Sequence, residues 1–141
     1  MRFSEFHNRW HRRLVLATEL ITAFGEMRTL LATIGIDIEM VCGWRGEKDQ
    51  EEAFKNGYSK AKFGSSAHNF AAAFDLVPVD EKGQPTWDAP QDVWDKIGNA
   101  GKKFGLEWGG DFKTILDRPH FQVRGWQARY TELFHLEPPI G

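Results

Sequence analysis

Leu14, Ala17, Leu20, Ile21, Phe24, Met27, Leu30 and Leu31 recur at three- and four-residue spacing, with Thr18, Glu19, Thr22 and Glu26 between them. That period predicts an amphipathic helix ending near Gly35. The pattern then switches to period two. Ile36, Ile38 and Met40 alternate with Asp37 and Glu39, as in a half-buried strand. Residues 47–57, EKDQEEAFKNG, read as a short helix stopped at Gly57, and residues 73–79, AFDLVPV, as a second strand. The stretch VDEKGQPTWDAP is dense in turn residues and reads as a loop; Asp88 within it is placed to cap a helix over roughly 91–104, which Gly105 ends. HFQV at 120–123 makes a last short strand, and residues 126–134 a final helix. Helices and short strands mix without a βαβ rhythm, so the expected class is α+β with a small antiparallel sheet flanked by helices.

Composition narrows the partners. The 141 residues suit one domain with a real core, read as a single unit over 1–141. A net charge of −2 gives no global field for nucleic acid or an anionic membrane. Arg2, Arg9, Arg12 and Arg13 form a local basic cluster, read as a solvated helix face. The run LVLATELITAF resembles a signal-peptide core only briefly, because Glu19 interrupts it and no small-residue cleavage site follows. It is also too short and polar to span a bilayer, so the expected location is the cytoplasm until release. The lone Cys42 excludes an internal disulfide and a thiolate zinc cage, and reads as a small buried hydrophobe at a strand end.

The chemistry concentrates in GSSAHNFAAAFDLV, residues 64–77, where His68 and Asp75 bracket an uncharged run. A carboxylate entering an apolar strand is costly unless something positive meets it. DRPHFQV adds Asp117 and His120. His68, Asp75 and His120 are two nitrogen ligands and one oxygen ligand, a set zinc accepts with a fourth position open. Along one straight strand His68 and Asp75 would face opposite ways, so they converge only if NFAA turns before the strand begins. A turn before His120 must likewise swing Asp117 inward, since Pro119 disfavours helix at Arg118. On spacing alone two readings stay open: a metal site, or a His68 bonded to backbone with Asp75 paired to a surface arginine. His7, His11 and His135 have no such company.

SSAHNFAAAFDL resembles the S-x-H-x-x-G-x-A-x-D motif of the peptidase M15 zinc peptidases, which include D-Ala-D-Ala carboxypeptidases, vancomycin-resistance peptidases and phage L-alanyl-D-glutamate endolysins. Ser66, His68, Ala73 and Asp75 fall on the pattern. CGWRGEKDQ is similar to the family's G-[YW]-R…Q segment, placing Arg45 and Gln50; LEWGGDFKTILDRPHFQ resembles its Trp-Gly-Gly followed by an acid-x-x-His, placing Trp108, Asp117 and His120. One departure is plain: the motif glycine is Ala71. At positive φ that alanine would cost on the order of 1 kcal/mol.

The resemblance implies the hedgehog/DD-peptidase-like zinc peptidase fold, acting on the stem peptide of peptidoglycan. It implies Zn2+ on His68, Asp75 and His120, with Asp117 as general base and then acid. Arg45 would hold a substrate carboxylate in its fork, with Ser66 and Gln50 assisting and Trp108 walling the cleft. An L-alanyl-D-glutamate endopeptidase of the endolysin type is the preferred reading. A D-Ala-D-Ala carboxypeptidase or dipeptidase is the enzyme alternative, and a non-catalytic zinc-stabilised wall-binding domain the alternative from another class. The chain is expected to be a monomer without a separate cell-wall-binding domain, without nucleic-acid partners and without stable membrane insertion.

Overall fold

The computed structural model describes residues 18–127. The basic cluster at residues 2–13, His7, His11, His135 and the expected helix beyond residue 127 lie outside them. The elements run α1 (Thr18–Ala32), β1 (Ile38–Cys42), α2 (Glu47–Lys55), a 3-10 turn (Ala67–Phe70), β2 (Ala73–Pro78), α3 (Gln91–Lys103), β3 (Leu106–Trp108), a second 3-10 turn (Gly109–Asp111) and β4 (His120–Val123). The four strands form one sheet in the order β1-β2-β4-β3, with every pairing antiparallel. The α+β class is as expected.

Helix α1 buries Leu20, Ala23, Met27 and Leu31, one stripe at three- and four-residue spacing, while Ile21 stays half exposed. It packs against α3, and the two helices cover one face of the sheet. Side chains alternate along a strand. Phe74 on β2 therefore meets Phe24 of α1 edge-on and stacks on Phe121 of β4, which stacks in turn on Trp108. Helix α3 can approach this aromatic row because Gly98 and Gly101 carry no Cβ, which would strike Trp108 and Phe121 respectively. Alternation sends the residues between these aromatics, Asp75, His120 and Gln122, to the opposite face.

Three expectations need correction. The cap of α3 is Pro90, with no side-chain bond, so Asp88 does not cap it. A proline suits a helix start, where the first N–H groups have no intrahelical partner. Strand β3 was not anticipated, because three residues are too few to show a period. β1 starts at Ile38 rather than Ile36, after the turn that closes α1 through the Ile36 amide on the Leu31 carbonyl.

Candidate metal and active site

The turn demanded by the His68–Asp75 spacing is present. Residues 67–70 form one 3-10 turn, capped by the Ser66 hydroxyl, which accepts the His68 amide at 3.3 Å. The Asn69 side chain returns the bond by accepting the Ser66 amide at 3.1 Å. Ala71 ends the turn at φ 57°, ψ 26°, in the left-handed region. This reverses the chain so that β2 begins at Ala73 and His68 lies over Asp75. The family's glycine position therefore does need positive φ, and alanine bears strain there.

Asp75 and His120 are direct partners across the β2–β4 ladder, and directly paired side chains share a face. The turn before His120 is tied down by the Asp117 amide on the Gly109 carbonyl, 2.9 Å, and the His120 amide on the Asp117 carbonyl, 3.1 Å. A Cβ on Gly109 would run into that Asp117 carbonyl, which gives the WGG segment a physical reason. The Trp108 indole donates to the Arg118 carbonyl at 2.7 Å and braces the same turn.

One oxygen of Asp75 lies 3.2 Å from His68 Nε2 and 3.2 Å from His120 Nδ1. Each ring is held by its other nitrogen: His68 Nδ1 donates to the Gly43 carbonyl at 2.8 Å, and His120 Nε2 to Gln122 Oε1 at 2.8 Å. With those bonds in place, loss of the proton facing Asp75 frees that nitrogen of each ring as a lone pair, the arrangement a metal-binding histidine requires. Donor atoms about 2.0–2.1 Å from a tetrahedral zinc stand roughly 3.3 Å from one another. The two separations from Asp75 fit that spacing; among the described residues, the group whose ligand atoms all lie within 4.8 Å of one another is Cys42, His68 and Asp75.

His68 and His120 are buried and Asp75 is mostly buried, whereas the Asp117 side chain is about half exposed (49%). Its Oδ2 stands 4.0 Å from His120 Nδ1, beside the converging atoms and beyond hydrogen-bond range. Burial, and then the Asp75 charge, push the Asp117 carboxyl upward, the direction that suits proton transfer. Burial also opposes charge on Asp75, but the two imidazoles outweigh it and hold the carboxyl well below the usual range. Burial would lower His68; the neighbouring Asp75 and Cys42 outweigh it and raise His68 to about 10.

Arg45 lies next to this centre. Its guanidinium donates to Gln50 Oε1 at 3.0 Å and approaches the Cys42 sulfur at 3.7 Å. Gln50 is fully buried and also bonds Ser59 and the Ala61 carbonyl, while Asn69 donates to its Oε1 at 3.2 Å. Gln50 therefore cannot meet substrate, and its role is to position Arg45. Trp108, only 5% exposed, is likewise a core and bracing residue rather than a cleft wall. Ser66 is engaged as a cap. Glu107 on β3 accepts the Gly125 amide.

Three residues near the centre escaped sequence reasoning. Gln122 and Asn69 had one available signal, their places in HFQV and SAHNF beside the two histidines. Cys42 is the third. A register shift between Met40 and Cys42 pairs it with Asp75, and its sulfur, with His68 and Asp75, forms a group whose ligand atoms lie within 4.8 Å. The thiol is 3.8 Å from His68 Nδ1, the nitrogen already bonded to Gly43. It is half-buried next to the site, so a plain hydrophobe at a strand end is not the whole description.

An antiparallel sheet that presents two oriented imidazoles and a carboxylate, with a spare acid beside them, defines a small α+β metallopeptidase. The model of the D-alanyl-D-alanine carboxypeptidase family matches residues 59–123, from just after α2 to the end of β4. That stretch, just under half of the chain, resembles the peptidase M15 family. The chain is 28% identical over 144 residues to the peptidoglycan L-alanyl-D-glutamate endopeptidase CwlK of Bacillus subtilis (strain 168), covering 86% of each chain. The L-Ala D-Glu endopeptidase ChiX of Serratia marcescens shares the fold, with a TM-score of 0.68, 23% identity, and coverage of 92% of this chain and 93% of ChiX. VanYB, solved in complex with D-alanine-D-alanine, is similar at a TM-score of 0.61 and 16% identity, over 86% of this chain and 77% of that one.

Proposed function

We propose that the protein is a zinc-dependent peptidase that hydrolyses a bond in the peptidoglycan stem peptide, preferentially the L-alanyl-D-glutamate bond. The observation that carries this reading is the single Asp75 oxygen 3.2 Å from both His68 Nε2 and His120 Nδ1, with Asp117 alongside. His68 through Nε2, His120 through Nδ1 and Asp75 hold the metal. Zinc bound there supplies Lewis acidity toward a peptide carbonyl and toward water. Asp117 accepts the proton of the attacking water and returns it to the leaving amine, for which its raised carboxyl pKa is suited. Arg45, locked by Gln50, receives a substrate carboxylate on the leaving side.

Likeness to CwlK along most of both chains favours the L-alanyl-D-glutamate bond. The family description and the VanYB likeness favour instead a D-Ala-D-Ala carboxypeptidase or dipeptidase. Digestion of purified peptidoglycan followed by mass spectrometry separates them. New D-glutamate amino termini support the endopeptidase, released D-alanine or D-alanyl-D-alanine supports the alternative, and an undigested sacculus overturns both.

A further inference from the structure

A cavity of about 540 Å3 opens from the metal centre, within the size range of small-ligand sites. Cys42, Arg45 and Asp75 line the end nearest the centre. Asp49, Glu52 and Asn56 also line it, and their three- and four-residue spacing puts them on one face of α2. The row spans roughly 10 Å at the helical rise. Tyr58 and Trp87, from two further segments, complete the wall although they are 87% and 57% exposed. Exposed aromatics are ordinary on a surface when they stand singly; these two share one concave wall with Asp49 and Glu52. Lys48 and Lys55, the basic residues of α2, are not among the lining groups.

The lining thus changes along its length: Arg45 beside Asp75 next to the metal centre, then Asp49 and Glu52 along α2 and Tyr58 just after it. A guanidinium suits a carboxylate, whereas carboxylates with aromatic rings suit an ammonium. We infer that Glu52, with Tyr58 and Trp87, forms a subsite for an ammonium-bearing residue of the substrate, next in line after the residue whose carboxylate meets Arg45. Asp49 already engages another group, so the subsite rests on Glu52. The inference rests on the peptidase reading for its substrate, and assigns selection of a diamino acid at the position following the D-glutamate. The ammonium end lies open to solvent, so its contribution is that of an exposed ion pair and weakens with salt.

Binding of γ-D-glutamyl-L-lysine and its Nε-acetyl form to the intact protein, followed by amide NMR shifts, tests this without turnover. The free amine should bind about threefold to fivefold tighter at low salt, the range an exposed ion pair provides, with shifts over residues 45–58. Glu52→Gln should abolish the preference and Glu52→Lys invert it, both with an unchanged spectrum elsewhere. Equal binding of the two peptides, binding without shifts on α2, or no binding of either overturns the subsite. A clear amine preference together with intact peptidoglycan would retain the subsite and overturn the hydrolase reading.

Discussion

His68, Asp75 and His120 are fixed by strand register, two reciprocal turn bonds and a second hydrogen bond on each ring, and all three are largely buried. At the other end of the cleft, Glu52 and Tyr58 stand exposed on and just beyond a nine-residue helix, and Trp87 projects from a loop. The first region is over-determined, as the proposed metal centre requires, since close placement decides rate. The second supplies charge and surface at little structural cost, and so is the place where substrate preference can change without loss of the fold. Arg45 joins them: a partly buried head clamped from behind by a wholly buried Gln50.

If that contrast is right, the largest effect belongs to Asp117. Asp117→Asn keeps the shape and the turn but cannot accept a proton at neutral pH, so peptidoglycan hydrolysis should fall by roughly a hundred- to ten-thousand-fold. Zinc content, read by metal analysis, should stay at the parent value. Zinc lost with activity would make Asp117 a ligand.

Next in size is the support behind a ligand. Gln122→Leu removes the acceptor that keeps the His120 proton on Nε2, and loss of such a partner costs about ten- to a hundredfold in metal affinity. Gln122→Glu, which retains an acceptor, should restore it in a chelator competition assay. Equal affinity in all three proteins would show that strand packing alone orients the ring.

The pH response of the metal-free protein follows from His68. Its pKa is raised from 6.5 to about 10 in the fold. The protonated ring on Asp75 therefore contributes stability that is complete below about pH 6.5 and disappears as pH rises toward 10. Thermal unfolding of the chelated protein should weaken across that window. A flat profile would mean that His68 is already neutral without metal.

The smallest effect lies in the backbone between the ligands. Ala71 at φ 57° bears a cost of about 1 kcal/mol or somewhat more, part of which glycine's extra chain entropy takes back. Ala71→Gly should stabilise the protein by about 0.5–1 kcal/mol in urea unfolding. A loss of stability would mean that the alanine methyl packs better than its strain costs.

The same contrast explains what could be read from the chain. The over-determined region left marks in the sequence: histidine and aspartate around a small-residue turn, a diglycine where two backbones touch, and a proline ahead of His120. The convergence of His68 and His120 on Asp75 and most elements were legible for that reason. The buried role of Gln50 was not, because EKDQEEAFK is charged throughout and reads as a solvated helix, hiding the one side chain that turns inward. Cys42 was placed at a strand end, but its closeness to His68 depends on a register shift that no local pattern announces. β3 is three residues long and exists because β4 offers it an edge, a tertiary cause. The row of charges along the cavity was invisible for a related reason, since carboxylates on a surface helix acquire meaning only from what faces them.

Metal content measured beside activity tests the central claim most directly. The protein should bind about one zinc per chain, lose peptidoglycan hydrolysis on complete chelation and regain it on adding zinc, while His120→Ala binds none and stays inactive. Full hydrolysis by rigorously metal-free protein, or stoichiometric zinc in His120→Ala, would contradict the assignment of His68, Asp75 and His120 as the metal centre.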